Sequence, residues 1–283
     1  MSPVPSLSNP VLSPTRPAVV EVRGLDAHYG GRQVLFGVDL EVLEGEIMVI
    51  MGGSGSGKST LMRHFIGLAT PSAGSVRLLG KDIARIGADE MLDLRRDIGV
   101  AFQGGALFSS MTVTENIMLP LCEHTRLDRR TMEIMARLKL EVVNLAGFGG
   151  LMPAELSGGM LKRAAVARAI VMDPKLLFFD EPSAGLDPAV SSALDDLIRR
   201  LRDAMNMTIV VVTHELESAF AIADRIAILD GGRMLAVDTV EKVRGSRDAR
   251  IRNLLDRRAD PSAFDPAAYL DRLAGGPRRD GAD

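Results

Sequence analysis

Tryptophan is absent from this chain, tyrosine occurs twice, and aromatics make up only 4% of 283 residues. Large aromatic stacking surfaces are therefore not expected. Cysteine occurs once, as Cys122, which excludes a disulfide framework and a cysteine metal site and fits a reducing, cytoplasmic setting. There is no basic excess: the formal net charge is −3, so nothing suggests the basic stripe a nucleic-acid partner would favour. Long apolar runs are missing too. Stretches such as Ile209 to Val212 fall far short of the roughly 18 residues that span a bilayer. The N-terminus lacks a basic segment followed by an apolar one, so no secretory signal is expected. If the protein acts at a membrane, a partner must take it there. The rest of the composition, 46% hydrophobic and 25% charged, is that of a globular protein with ample core.

One stretch carries chemistry by itself. Gly52-Gly53-Ser54-Gly55-Ser56-Gly57-Lys58-Ser59, followed by Thr60, fits G-x-x-x-x-G-K-[ST]. It follows an apolar, strand-like run, Ile47 to Met51, and precedes a helix-like run, Leu61 to Leu68. Glycines let successive backbone N–H groups turn inward around a phosphate chain. The helix behind them points its positive end at the same anion. Lys58 adds a charge for the β and γ phosphates, and the Ser59 hydroxyl is placed to ligate Mg²⁺.

Residues 1–18, rich in Pro and Ser, read as a disordered lead-in. Val19 to Glu44 contains short β-like runs broken at Gly30-Gly31, Gly37 and Gly45, which suggests an antiparallel layer. Further strands are expected at Val76 to Leu79, Ile98 to Phe102, Leu176 to Phe179 and Ile209 to Val212. Ile226 to Leu229 and Arg233 to Val237 read as a hairpin through Asp230-Gly231-Gly232. Residues 104 to about 172 read as an inserted helical subdomain, with a capping box at Thr112 and Glu115 and helical spacing from Thr131 to Val143. Asp187-Pro188 is an N-cap and N1 pair opening a helix with one apolar face. The strand–helix alternation predicts an α/β fold with a mostly parallel sheet over 19–240. Residues 241–283 form an arginine-rich C-terminal extension, with a candidate helix at Pro266 to Leu273.

The apolar strand 176–179 ends in Asp180-Glu181. Hydrolysing a phosphoanhydride needs a cation on the phosphates and a group that orients water. Asp180 suits the metal shell and Glu181 the attacking water. Gln103 ends another strand, where its amide could touch metal or water. His214 lies at the carboxyl end of a predicted parallel strand, where α/β sheets place ligands. Tyr29 could stack on an adenine or plug a β layer.

In order along the chain, Tyr29, Gly52 to Thr60, Gln103, Leu156-Ser157-Gly158-Gly159-Met160, Leu176 to Glu181, Ser183 to Asp187 and His214 closely resemble the A-loop, Walker A, Q-loop, signature, Walker B, D-loop and switch histidine of an ABC ATPase, a P-loop NTPase with a RecA-like core. The resemblance covers about residues 20–240. It implies ATP and Mg²⁺, and two copies meeting head to tail. Ser157, Gly158 and Gly159 of one copy would then face the nucleotide on the other copy's Walker A, with Asp187 linking the two sites. Met160 departs from the pattern, which usually has Gln there. The loss of one amide leaves the serine and glycine contacts to phosphate in place.

Phe102 to Val113 with Glu115-Asn116-Ile117, Leu119 to Thr125, and Leu156 to Met160 with Lys162-Arg163 resemble one branch, the MlaF-type ATPases of phospholipid transporters. That resemblance implies a motor at the cytoplasmic face of the inner membrane. It would sit under integral permease subunits (MlaE-like), with an MCE-domain protein (MlaD-like) and a STAS-domain protein (MlaB-like) in the complex. Residues 104–125 are the expected permease-docking surface, and the extension 241–283 a possible partner or dimer contact. The competing reading keeps the ATPase and makes it the motor of an importer for amino acids or other polar solutes.

Overall fold

The computed structural model describes residues 16–256. A boundary between two compact units falls after Val240, and the first unit carries both sheets.

Strands β1 (Ala18–Tyr29) and β2 (Arg32–Leu43) pair antiparallel. Each is a single strand of 12 residues rather than several short ones. Gly24 and Gly37, both at positive φ, lie beside register shifts in the pairing. The glycines in this layer thus make bulges that bend the ribbon without ending it. Next come β3 (Ile47–Met51), α1 (Lys58–Phe65), β4 (Ala73–Leu78), β5 (Lys81–Asp82) and α2 (Ala88–Arg96). The first sheet has the order β2-β1-β4-β5.

Strand β6 (Ile98–Ala101) leads into the helical insert of α3 (Val113–His124), α4 (Arg129–Val142) and α5 (Gly158–Ala169). Thr112 and Glu115 form the expected capping box, and Asp128 caps α4 through the Thr131 amide. The chain returns through β7 (Leu176–Asp180), α6 (Pro188–Met205), β8 (Thr208–Val212), α7 (Leu216–Ile222) and the hairpin of β9 (Arg225–Asp230) and β10 (Arg233–Thr239).

The second sheet has the order β10-β9-β3-β8-β7-β6, parallel except for β10. All five residues of β3 and of β8 are buried, as strands covered on both faces require. With Phe65 and Phe178, 5.8 Å apart between ring centroids, they anchor the core. Helices α2 and α7 have no counterpart among the sequence-based expectations.

The parallel register sets the site. Ile50 and Asp180 both pair with Val212, and Phe179 pairs with Ala101. The segments that follow β3, β8, β7 and β6 therefore emerge along one edge of the sheet, the edge where such folds bind ligands.

Helix α8 (Val240–Arg244) begins at the boundary residue, and α9 (Ala249–Leu255) belongs to the second unit. The expected helix at Pro266 to Leu273 and the lead-in to residue 15 lie outside the described residues.

Candidate functional site

The loop after β3 is shaped by close packing. A Cβ on Gly52 would lie 2.2 Å from the Leu229 carbonyl oxygen and 2.5 Å from Ser56 Oγ. No larger residue fits there. Gly57 has φ +103, and a Cβ on it would meet Leu35 Cδ2 at 2.7 Å. The Gly232 amide donates to the Ser56 carbonyl at 3.0 Å, so the β9–β10 hairpin holds the loop from behind. Ser56 Oγ is buried with no hydrogen-bond partner.

Helix α1 opens on the loop with no side-chain cap and no acid in its first turn, which leaves its first amides and positive end turned toward an anion. Lys58 Nζ bridges the Gly52 and Gly53 carbonyls at 2.9 and 3.0 Å. An ammonium has three donors, so one remains for a ligand. The loop lines a cavity of about 260 Å³ together with Tyr29 and Val34. Tyr29 is 64% exposed, with the Arg63 guanidinium 5.7 Å from its ring centroid. It faces outward beside the loop and does not plug the β layer.

Opposite charges gather at the end of β7. Burial, and then the neighbouring Glu181 carboxylate, raise the Asp180 pKa, while Lys162, Lys58 and Arg63 oppose the rise. Burial lowers the Lys58 pKa, against the attraction of Glu181 and Asp180. Glu181 has φ +48, a left-handed conformation that costs an L-residue on the order of 1 kcal/mol and persists only where surroundings enforce it. Here they do. The Glu181 amide donates to the Val212 carbonyl at 2.8 Å, and its carbonyl accepts from Lys162 Nζ at 2.9 Å. One carboxylate oxygen accepts from Thr213 Oγ1 at 3.0 Å, and the other lies 2.8 Å from His214 Nδ1.

Thus Lys58, Asp180, Glu181 and His214 come together. Gln103, exposed, stands just past β6 on the same sheet edge. The signature residues stand apart at the start of α5. Ser157 is its N-cap, accepting from the Met160 amide at 3.3 Å, and a Cβ on Gly159 would lie 2.5 Å from Val190 of α6. Asp187 caps α6 through the Val190 amide at 3.0 Å. Lys162 and Thr213 are contacts of Glu181 for which the sequence offers no local signal, since they lie 19 and 32 residues from it.

The profile described as ABC transporter matches residues 35–184, from β2 past the Asp180-Glu181 pair. The chain belongs to the ABC transporter family. Membership makes it an ATP-binding, ATP-hydrolysing subunit. This ABC ATPase is 39% identical to the intermembrane phospholipid transport system ATP-binding protein MlaF of Haemophilus influenzae, over 86% of the chain and 92% of that relative. It is 42% identical to the methionine import ATP-binding protein MetN of Caulobacter vibrioides, over 76% of the chain but only 64% of that relative. A solved dimer of the ATP-binding cassette MJ0796 bound to ADP and Pi superposes with a TM-score of 0.72 at 31% identity, covering 78% of this chain and 98% of that one.

Proposed function

We propose that this ATPase is the motor subunit of a transporter that moves phospholipids between the inner and outer membranes of a Gram-negative envelope. The geometry around Glu181 carries the hydrolytic part: a residue with a strained backbone whose carboxylate is held by Thr213 and His214, beside a phosphate loop and a second acid. Similarity over nearly the full length of MlaF carries the cargo. The importer reading has a higher local identity behind it, but that match leaves over a third of MetN uncovered.

In this mechanism, the amides of Gly53 to Ser59 and the Lys58 ammonium grip the triphosphate, and Tyr29 offers its exposed face to the base. The donor set fits Mg²⁺. Among the described residues no group of three or more His, Cys, Asp or Glu could hold a metal by itself, and Mg²⁺ commonly needs only one or two carboxylates, here Asp180, completing its shell with neutral oxygens, water and phosphate oxygens. Ser59, Asp180 and Gln103 would hold the ion, which neutralises phosphate charge when bound. Glu181 orients water and takes its proton, and His214 steadies the carboxylate and senses the γ-phosphate. Ser157, Gly158 and Gly159 face the nucleotide held by a second copy, and Asp187 sits between the two sites. Closing and opening of that pair pulls on an integral permease through residues 104–125, where Phe108 is 52% exposed. The complex would also include an MCE-domain and a STAS-domain protein. The subunit would sit at the cytoplasmic face of the inner membrane through its permease; no helix among the described residues is long and apolar enough to cross a membrane.

Glu181→Gln should reduce steady-state ATP hydrolysis at least about 100-fold while nucleotide binding persists, because only water activation is lost. Hydrolysis near the wild-type rate would refute the assignment. For the cargo, the complex copurified from membranes should move labelled phospholipid between vesicles only with ATP. ATP-driven uptake of methionine instead would favour the importer.

A further inference from the structure

Arg168, near the end of α5, is a half-buried cation that pairs with no carboxylate among the described residues. Burial lowers its pKa and no acidic group offsets that. A guanidinium partly withdrawn from water needs acceptors, and here it finds two backbone carbonyls. Nη1 donates to the Ala106 carbonyl at 2.7 Å and Nη2 to the Gly105 carbonyl at 2.9 Å.

Those carbonyls belong to successive residues in left-handed conformations, Gly105 at φ +74 and Ala106 at φ +48. For alanine this conformation is strained, so something must hold it. The Gly105 amide in turn donates to the Phe102 carbonyl at 2.8 Å, closing a tight turn with Gln103 inside it. The same helix touches the turn a second time: a Cβ on Gly105 would lie 2.5 Å from Leu161 Cδ2. Helix α5 therefore holds Ser157 at its N-terminus and grips the Gln103 turn from its flank.

We propose that Arg168 is a positioning residue that latches the turn carrying Gln103 to the helix that begins at Ser157, so that the two move as one body. The proposal rests on the reading above, in which Ser157 meets the nucleotide of a second copy and Gln103 that of its own. Any displacement of α5 on engaging the facing nucleotide then arrives at the chain's own Gln103. One half-site thereby reports to the other along a single helix. The planar fork of arginine suits two adjacent carbonyls, whereas lysine can meet them only as a point charge.

The test compares steady-state ATPase kinetics, nucleotide binding and thermal midpoints for the full chain. Arg168→Met should lower kcat about 10-fold, as misplacement of a positioning group does, with KM for ATP within about 2-fold because the Lys58 loop is untouched. Arg168→Lys should fall between Met and wild type. Gly105→Ala attacks the same latch from the loop side, pushing against Leu161, and should give the same split between kcat and KM. The double variant should be no slower than the worse single, since a latch can be broken only once. An unchanged kcat in Arg168→Met overturns the proposal. So does a fall in kcat matched by lost binding and a lower thermal midpoint, or a double-variant loss that multiplies the two singles. Should Arg168→Met fail to fold, Gly105→Ala decides by the same split. Glu181→Gln, run alongside, separates the two claims: hydrolysis surviving there refutes the catalytic reading whatever Arg168 does.

Discussion

Single residues in this protein are placed by opposing electrostatic demands, and Asp195 shows the balance outside the catalytic cluster. It is buried on α6, accepts from the Ser218 hydroxyl, and has its pKa raised by burial. The Ser218 bond and Arg199 pull the other way, and Asp196 adds to the rise. A raised carboxylate pKa means the folded chain binds the proton more tightly than the unfolded one. Stability linked to this group is therefore highest in acid. It falls as pH climbs from the ordinary value of 3.8 through the raised one, and stays reduced at neutrality. Asp195→Asn keeps an acceptor for Ser218 and removes the charge. Its thermal midpoint should exceed that of wild type at pH 7, with the difference vanishing below about pH 4. A lower midpoint at pH 7 would mean the charge is held at a net gain by Ser218 and Arg199. None of this is legible in the sequence, where Asp195 is one acid of an Asp-Asp pair. Its burial depends on α7, a seven-residue helix too short to show a periodic pattern.

At the scale of elements, the chain's signals were clearest where one segment does its own work. The Thr112–Glu115 capping box, the Asp187 cap and the uninterrupted apolar strands β3, β7 and β8 are all written in contiguous residues. Helix α2 is not: of its nine residues only Leu94 is buried, so no apolar face marks it. The Lys58, Asp180 and Glu181 motifs were legible for the same reason of contiguity. The contacts that hold the site are not, because Lys162 and Arg168 reach carbonyls 19 and 62 or 63 residues away. Asn116 is an element-scale case between the two. Fully buried in α3, it donates to the carbonyls of Phe108, Met111 and Thr112 and accepts from the Phe108 amide at 2.7 Å. It thereby fixes the loop that displays Phe108. Asn116→Ala would take away the partner of the Phe108 amide and of the Met111 carbonyl, both part-buried, while the Phe108 and Thr112 carbonyls keep the Met111 and Asn116 amides. It should cost about 2–3 kcal/mol in urea unfolding, where an exposed cap such as Thr112→Ala costs about 1. Equal losses for the two would show that the loop finds other partners.

The whole molecule holds two incomplete surfaces, a phosphate loop at the sheet edge and a helix start at Ser157, with no hydrogen bond joining them among the described residues. Two copies related by a twofold axis can complete both at once, since each loop then meets the other's Ser157. This arrangement makes a prediction that no single-chain site can satisfy. Lys58→Ala destroys the loop of its own copy but leaves its Ser157 intact, and Ser157→Arg does the reverse. Each variant alone should be inactive, because every site in its dimer is missing one half. Mixed in equal amounts, half of the dimers contain one copy of each, and one of the two sites in such a dimer joins a good loop to a good helix start. ATPase activity of the mixture should therefore rise toward roughly a quarter of the wild-type rate, given free exchange of copies. Sites that act alone would give a mixture no faster than the better parent, and the loop and Ser157 would then belong to separate events.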